Sequence, residues 1–384
     1  MKTNSMKFLL ALAICTLSCS IAVDKPIITT RTIPDGNALK CVLLGAPLTS
    51  YRDAAQTINT LKVFNNKLYI GYGDWTVNTG PTDVIYYDFA KKEFIKEFTV
   101  QEEAITNYRV IDNKLAITGT DSTESWDFGN IYVLTETGWV KHRSVTNGIH
   151  VFDIASFNGK WYTATGNHLV DKDGKETAPG AILSSPDEGK TWNYEYITQL
   201  QSNLVTRINA LMPFDGRLYA FSWSQSSQGM VADHNKGLDA IVYNGRSWVW
   251  ADLIPANRMI LINPFIFKNR LILFACSVRN DGAGAAKTLY SYNGTGPAEI
   301  VPVKCRTIGD VLAKEDKLFL LVIDENNRIA IAETNDLANW TYHLLPFEIR
   351  QLSERNIFEF GLKLEYGNGH FYIGTSDGRI FETE

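Results

Sequence analysis

Seven stretches of this chain share one pattern: VFNNKLYIGYG, VIDNKLAITGT, SFNGKWYTATG, PFDGRLYAFSW, IFKNRLILFAC, AKEDKLFLLVI and EYGNGHFYIGT. Each is an extended run, two turn residues, a basic residue and an apolar strand. The turn pairs are Asn65-Asn66, Asp112-Asn113, Asn158-Gly159, Asp215-Gly216, Lys268-Asn269, Glu315-Asp316 and Asn368-Gly369. Most are residue types that tolerate the positive φ of a two-residue hairpin turn. The apolar anchors after the turns (Leu68, Leu115, Trp161, Leu218, Leu271, Leu318 and Phe371) repeat at intervals of roughly 50 residues.

A second strand–turn–strand unit follows each of the first six copies, as in IYYDFAKKEFIKEF and ILSSPDEGKTWNYEY. Four short strands per repeat is the plan of a propeller blade. The predicted fold is therefore all-β: a seven-bladed β-propeller with four-stranded blades. No Pro/Ser-rich or charged run breaks the repeat, so residues 23–384 read as one domain. The seventh copy stops at RIFETE, one strand short, which would leave an open sheet edge. A strand from the N-terminal segment can close the ring, either Ile27 to Ile33 or Lys40 to Leu44.

Residues 1–22 have the form of a secretory signal peptide. Lys2 and Lys7 precede the apolar run Phe8 to Ile14, and small residues follow. Ser20-Ile21-Ala22 suits ordinary cleavage before Val23. Thr16-Leu17-Ser18-Cys19 approximates a lipobox, which would put a lipid anchor on Cys19. The expected location is secreted, periplasmic or cell-surface, lipid-anchored if Cys19 is modified. No later stretch is long and apolar enough for a transmembrane helix. Removing the two leader lysines takes the net charge of −5 to −7, which argues against nucleic acid as a partner. Cys41, Cys276 and Cys305 remain, so one disulfide could form and one thiol would be left over.

The turn SPDEGKTW (Ser185 to Trp192) resembles the Asp-box (BNR repeat) of the sialidase-like β-propeller superfamily. TNDLANW, from Thr334 to Trp340, is a weaker relative at the same place in the sixth repeat. The residue types suit a self-capped turn: Ser185 and Asp187 can accept backbone N–H groups, Gly189 can turn left-handed, and Trp192 can bury its ring. This turn joins the third strand of a blade to the fourth, so it lies with the tight hairpin turns. The resemblance thus implies a structural role for Ser185, Asp187, Gly189 and Trp192. Sialidases carry an Arg-Ile-Pro motif, and the nearest match here is Arg31-Thr32-Ile33-Pro34. No sialidase catalytic residue is carried over.

The opposite face is the place for a site. Its second-to-third loops are long in five blades: 73–83, 119–130, 165–180, 222–239 and 276–287. Candidate ligand-binding residues are Asp74, Trp75, Arg109, Trp126, Asp153, His168, Arg207 and Trp223. Aromatic faces stack on sugar C–H groups while polar neighbours take the hydroxyls. Glu103, His150 and Asp153 are the catalytic candidates: paired carboxylates for glycoside chemistry, or His150 as a base oriented by Asp153. Eight residues before each anchor stand Thr60, Asn107, Asp153, Ala210, Asn263, Asp310 and Lys363, a ring of mostly polar residues near the axis. Asp171 and Asp173 in DKDGKE resemble the opening of a calcium loop without its later ligands; no cofactor or metal is expected. The reading is a propeller binding a carbohydrate or cell-surface ligand on the long-loop face. The alternative is a polysaccharide-active hydrolase or lyase using carboxylates or His150 there.

Overall fold

The computed structural model describes residues 33–34, 37–73, 79–200, 204–226, 229–231, 240–254, 259–277, 287–348 and 362–384. The leader with Cys19, Arg31, and the candidates Asp74 and Trp75 lie outside them, as does the side chain of Cys276.

Seven blades follow one another along the chain, each built on four strands, which in the first six run in sequence order from the inside outward. Their innermost strands begin at Ile58, Tyr108, Gly148, Leu204, Met259, Thr307 and Leu362. The chain is a seven-bladed β-propeller. Left-handed turns start each blade: φ is 47° and 59° at Asn65 and Asn66, and 47° and 60° at Asp112 and Asn113. Such turns match the right-handed twist of paired strands. In the sixth blade only Glu315 is left-handed, with φ 54°.

The core is divided into seven apolar clusters, one at each contact between neighbouring blades. Leu115, Ile117 and Tyr132 of the second blade meet Tyr69 and Val84 of the first; Ile131 and Val133 face Trp161 and Leu183 of the third. Alternate residues of each strand therefore point to different neighbours. Every sheet is buried on both faces, which is why strands such as LYIGY and LFLLVI read as continuous apolar runs.

The innermost strands share an irregularity near the ring positions. Pairing register shifts between Ile58 and Thr60, Val151 and Asp153, Ile208 and Ala210, Ile262 and Phe265, and Ile308 and Asp310. A bulge turns the polar side chain out of the sheet pleat. Asp153 and Asp310 then make the same bond: each accepts from a backbone N–H of the next blade, Leu211 at 2.8 Å and Leu364 at 2.9 Å.

The N-terminal segment closes the ring. Cys41–Gly45 pairs antiparallel with Ile380–Thr383 as the fourth strand of the seventh blade. Of the two predicted closing strands, the second fills the place. The first contributes its last residue as a clasp. Ile33 is buried between blades five and six; its N–H donates to Asp324 Oδ2 at 3.3 Å, and its carbonyl accepts from Arg328 Nη2. Between clasp and closing strand, Asn37–Ala38 pairs parallel with the outer strand of the sixth blade. Cys41 and Cys305 are free thiols, raised to about 11 and about 12 by burial.

Candidate functional site

Among the described residues the long-loop face is most elaborated over blades two to four. Thr120–Ser122, from the loop of the second blade, pairs antiparallel with Gly148–Phe157, the innermost strand of the third, through Thr120 and His150. Glu102–Ala104, from the link between blades one and two, pairs with Thr120–Ser122 in turn. These two short strands extend the third sheet inward, beyond its innermost strand. Asp121 has a left-handed φ of 52°, which breaks the alternation of the strand at this residue.

Asp121 meets His150, with Oδ1 2.8 Å from His150 Nδ1. The imidazole stacks on Phe152 with ring centroids 5.2 Å apart. Burial and then the charge of Arg207 push the His150 pKa below its ordinary value, against the pull of Asp121. Burial thus biases the ring toward its neutral form, and the Asp121 carboxylate lies close to Nδ1 without meeting it in hydrogen-bond geometry.

Arg207 comes from the innermost strand of the fourth blade. It is 8% exposed. Its Nη1 donates to the carbonyls of Thr206 (3.1 Å) and Ala178 (3.4 Å). Burial pushes its pKa down to about 10, opposed by Asp121. Its stem lies on Gly166, where a Cβ would sit 2.3 Å from Arg207 Cδ, so a side chain at 166 would push the guanidinium from its place. Among the described residues no carboxylate is in ion-pair contact with this guanidinium.

The same short strands also carry a buried carboxyl. Glu102 is fully buried. Its Oε1 accepts from Asn130 Nδ2 at 2.6 Å and Tyr132 Oη at 3.0 Å, while Oε2 has no partner. Burial pushes its pKa up to about 7. Glu124, which also accepts from Asn130 at 3.2 Å, is instead held down by Lys141 and Asn130 against desolvation.

The sequence-derived pairing of His150 with Asp153 is not what forms. Asp153 is buried and takes a bidentate grip from Arg109, Nε–Oδ1 2.6 Å and Nη2–Oδ2 2.8 Å. Asn107 Nδ2 (3.3 Å) and the N–H groups of Ile154 and Leu211 (2.8 Å each) fill its remaining lone pairs. Asp153 and Arg109 thus fasten blades two, three and four, and the group on His150 is Asp121. Glu103 is buried, its carbonyl accepting from Thr79 Oγ1 at 2.8 Å; the perturbed carboxyl is its neighbour Glu102. Both missed residues lie in segments the sequence marked, and only the strand pairing shows which one faces the cluster.

Trp223 stands opposite Arg207 in the sheet and is half-buried. Trp126 is 48% exposed at the tip of its loop. His168 sits 3.7 Å from Glu176 at a small hairpin. In that hairpin Asp171 Oδ1 accepts the N–H groups of Asp173 and Lys175, both at 2.9 Å, so the carboxylate caps its own turn. Among the described residues no three His, Cys, Asp or Glu side chains converge as metal ligands.

The Ser185–Trp192 turn is on the opposite face. Ser185 Oγ accepts from Gly189 N at 2.8 Å, Asp187 takes the N–H and hydroxyl of Thr191 at 2.9 and 2.8 Å, and Trp192 Nε1 donates to Gly189 O at 3.0 Å. Trp192 packs in the cluster between blades two and three. Thr334, Asp336 and Asn339 repeat the arrangement in the sixth blade.

No family model and no curated protein matches this sequence. Solved structures match it in fold. Virginiamycin B lyase from Staphylococcus aureus aligns over 90% of this chain and 99% of its own, at 10% identity and a TM-score of 0.53. A polysaccharide lyase of family PL25, an ulvan lyase, covers 87% of this chain and 93% of its own, at 8% identity and a TM-score of 0.53. A PL25 ulvan lyase bound to -[GlcA(1-4)Rha3S]- aligns at 10% identity over 87% and 94%, with a TM-score of 0.50. What this chain shares with these proteins is the β-propeller fold.

Proposed function

We propose that this chain is a secreted or surface-anchored propeller of the Asp-box type that binds an acidic carbohydrate on its long-loop face. One observation carries the reading. A buried guanidinium, Arg207, has no carboxylate in ion-pair contact among the described residues; it lies within electrostatic reach of His150 and Asp121, whose Nδ1 and Oδ1 are 2.8 Å apart. A buried cation gains most from an anion that arrives with its own hydrogen-bonding oxygens. A sugar carboxylate or sulfate supplies both, and Trp223 stands opposite Arg207 in the sheet. The acidic saccharide bound to one fold neighbour supports the same ligand class. The test is a glycan array, followed by titration calorimetry with Arg207→Gln. Binding of uronate or sulfated glycans that the variant loses supports the reading. Binding that is indifferent to Arg207, or absent for every acidic glycan, overturns it.

A second reading, an eliminating polysaccharide lyase, is favoured by the state of His150. With Nδ1 toward Asp121, Nε2 keeps a free lone pair. It would take the proton α to the sugar carboxylate. That electron pair forms the new C=C bond as the C–O bond to the leaving sugar breaks, and the leaving oxygen is protonated by water. The readout is ultraviolet absorbance of the unsaturated product. Absorbance that His150→Ala abolishes supports turnover; unchanged absorbance with every glycan that binds leaves binding alone.

A further inference from the structure

The loop that brings Asp121 to His150 continues to the rim of the disc. It presents Trp126, 48% exposed, and Phe128, 40% exposed, while Tyr194 of the third blade is 37% exposed beside them. Trp126 is five positions after Asp121, so their Cα atoms are no more than roughly 17 Å apart even in fully extended chain.

The segments that carry these rings are tied down. One peptide, Thr146-Asn147 between blades two and three, holds elements from both sides. Asn147 N donates to Asp127 O at 2.8 Å, Tyr194 Oη donates to Thr146 O at 2.8 Å, and His168 N donates to Asn147 O at 3.1 Å. Arg143 holds the tip of the loop through Ser125 O and Oγ, both at 2.7 Å, and its guanidinium lies 5.8 Å from the Phe128 ring centroid. A loop so tied has no loose tip on which an exposed Trp is incidental.

Polar groups interleave the rings. Asp127 stands between Trp126 and Phe128 in the chain, and the backbones of Asn147 and His168 are tied to this segment by the bonds above. A protein partner or a lipid surface rewards a contiguous apolar patch. A sugar chain rewards ring faces alternating with acceptors and donors, because each pyranose has C–H faces and a hydroxyl edge.

We propose that this rim is a distal subsite for an extended saccharide that begins at Arg207 and His150 and runs outward across the junction of blades two and three. The inference rests on the carbohydrate reading above and adds that the ligand is a polymer rather than a terminal sugar.

The experiment is calorimetry of the full chain with glucuronic acid–rhamnose oligomers, from the disaccharide upward. Native protein, Trp126→Ala, Phe128→Ala and Arg207→Gln are compared, each checked by thermal melting. Affinity should rise with length in the native protein. Trp126→Ala should remove roughly tenfold from the long oligomers and leave the shortest unchanged, with Phe128→Ala in the same direction. Arg207→Gln should weaken every length. Native affinity that does not grow with length overturns the distal subsite alone, since the centre would still bind. Equal losses at all lengths in Trp126→Ala overturn it too. If no oligomer binds native protein, the carbohydrate reading fails and this one with it. Trp126-dependent sedimentation with phosphatidylcholine–phosphatidylserine vesicles would replace it with a membrane surface.

Discussion

Arg109 of the second blade and Asp153 of the third form a two-pronged ion pair across their boundary, with both carboxylate oxygens engaged. The same carboxylate accepts the Leu211 N–H of the fourth blade. One side chain thus sets the relative position of three blades. Asp153→Ala would leave a cation uncompensated and a buried N–H unsatisfied. The expected loss is about 3–5 kcal/mol, read by chemical denaturation. Asp153→Asn keeps an acceptor and should lose less. A variant as stable as the native protein would contradict the role.

Glu102 gives a pH signature. Its carboxyl is raised from an ordinary 4.5 to about 7 by burial, against the pull of Asn130, Tyr132 and Lys141. The folded state therefore holds a proton that the unfolded chain releases earlier. This contribution is complete below pH 4.5, declines as pH rises, and is lost above about 7. Glu102→Gln keeps the acceptor for Asn130 and Tyr132 without the charge. At pH 8 it should be more stable than native by about 3 kcal/mol, and near pH 4 the gain should vanish. Identical pH slopes of the two proteins in urea melts would refute this.

Trp192 closes its turn and fills the contact between blades two and three. Trp192→Ala should cost about 3–5 kcal/mol through the cavity it leaves. It should not change glycan affinity measured below the melting range, because its turn and the long loops are at opposite ends of the strands. A selective loss of affinity in a variant that melts normally would put the site on the wrong face.

Ile33 is gripped at both its N–H and its carbonyl by the Asp324–Arg328 pair. Removing residues through Pro34 should lower the melting temperature by a few degrees and keep the ring, since Cys41–Gly45 remains. Removing residues through Gly45 exposes the edge of Ile380–Thr383, and edge pairing with a second chain should follow. Light scattering distinguishes the two. Equal behaviour of both truncations would mean that the closing strand is dispensable.

Blade number, hairpin turns and the face of each loop could be read from the chain because each blade repeats a local pattern. NN, DN and NG pairs before a basic residue announce a turn whatever surrounds them. The Ser185–Trp192 turn was readable for the same reason, since Ser185, Asp187 and Gly189 bond within eight residues. The site was readable only as a region. His150 lies three residues from Asp153, and nearness in sequence suggested the pair. The register shift between Val151 and Asp153 turns Asp153 to Arg109 instead, and a strand from another blade delivers Asp121. Glu102 was passed over for Glu103 because the two differ only in which side of a three-residue strand they take. Such choices are made by pairing between distant segments, which leaves no periodic trace.

The closing strand also fixes an order of events. Nearly every strand pair in this protein joins neighbours in sequence, so blades can form as the chain emerges. Cys41–Gly45 must wait for Ile380–Thr383, the longest-range antiparallel pairing here. Yet Glu384 N donates to Lys40 O at 2.9 Å. Linking Glu384 to Lys40 through a short turn, and opening the chain between two other blades, would make that pairing a local hairpin. Such a circular permutant would sacrifice the Ile33 clasp but should refold faster than the natural order of strands, because its last blade would no longer depend on an encounter between distant ends.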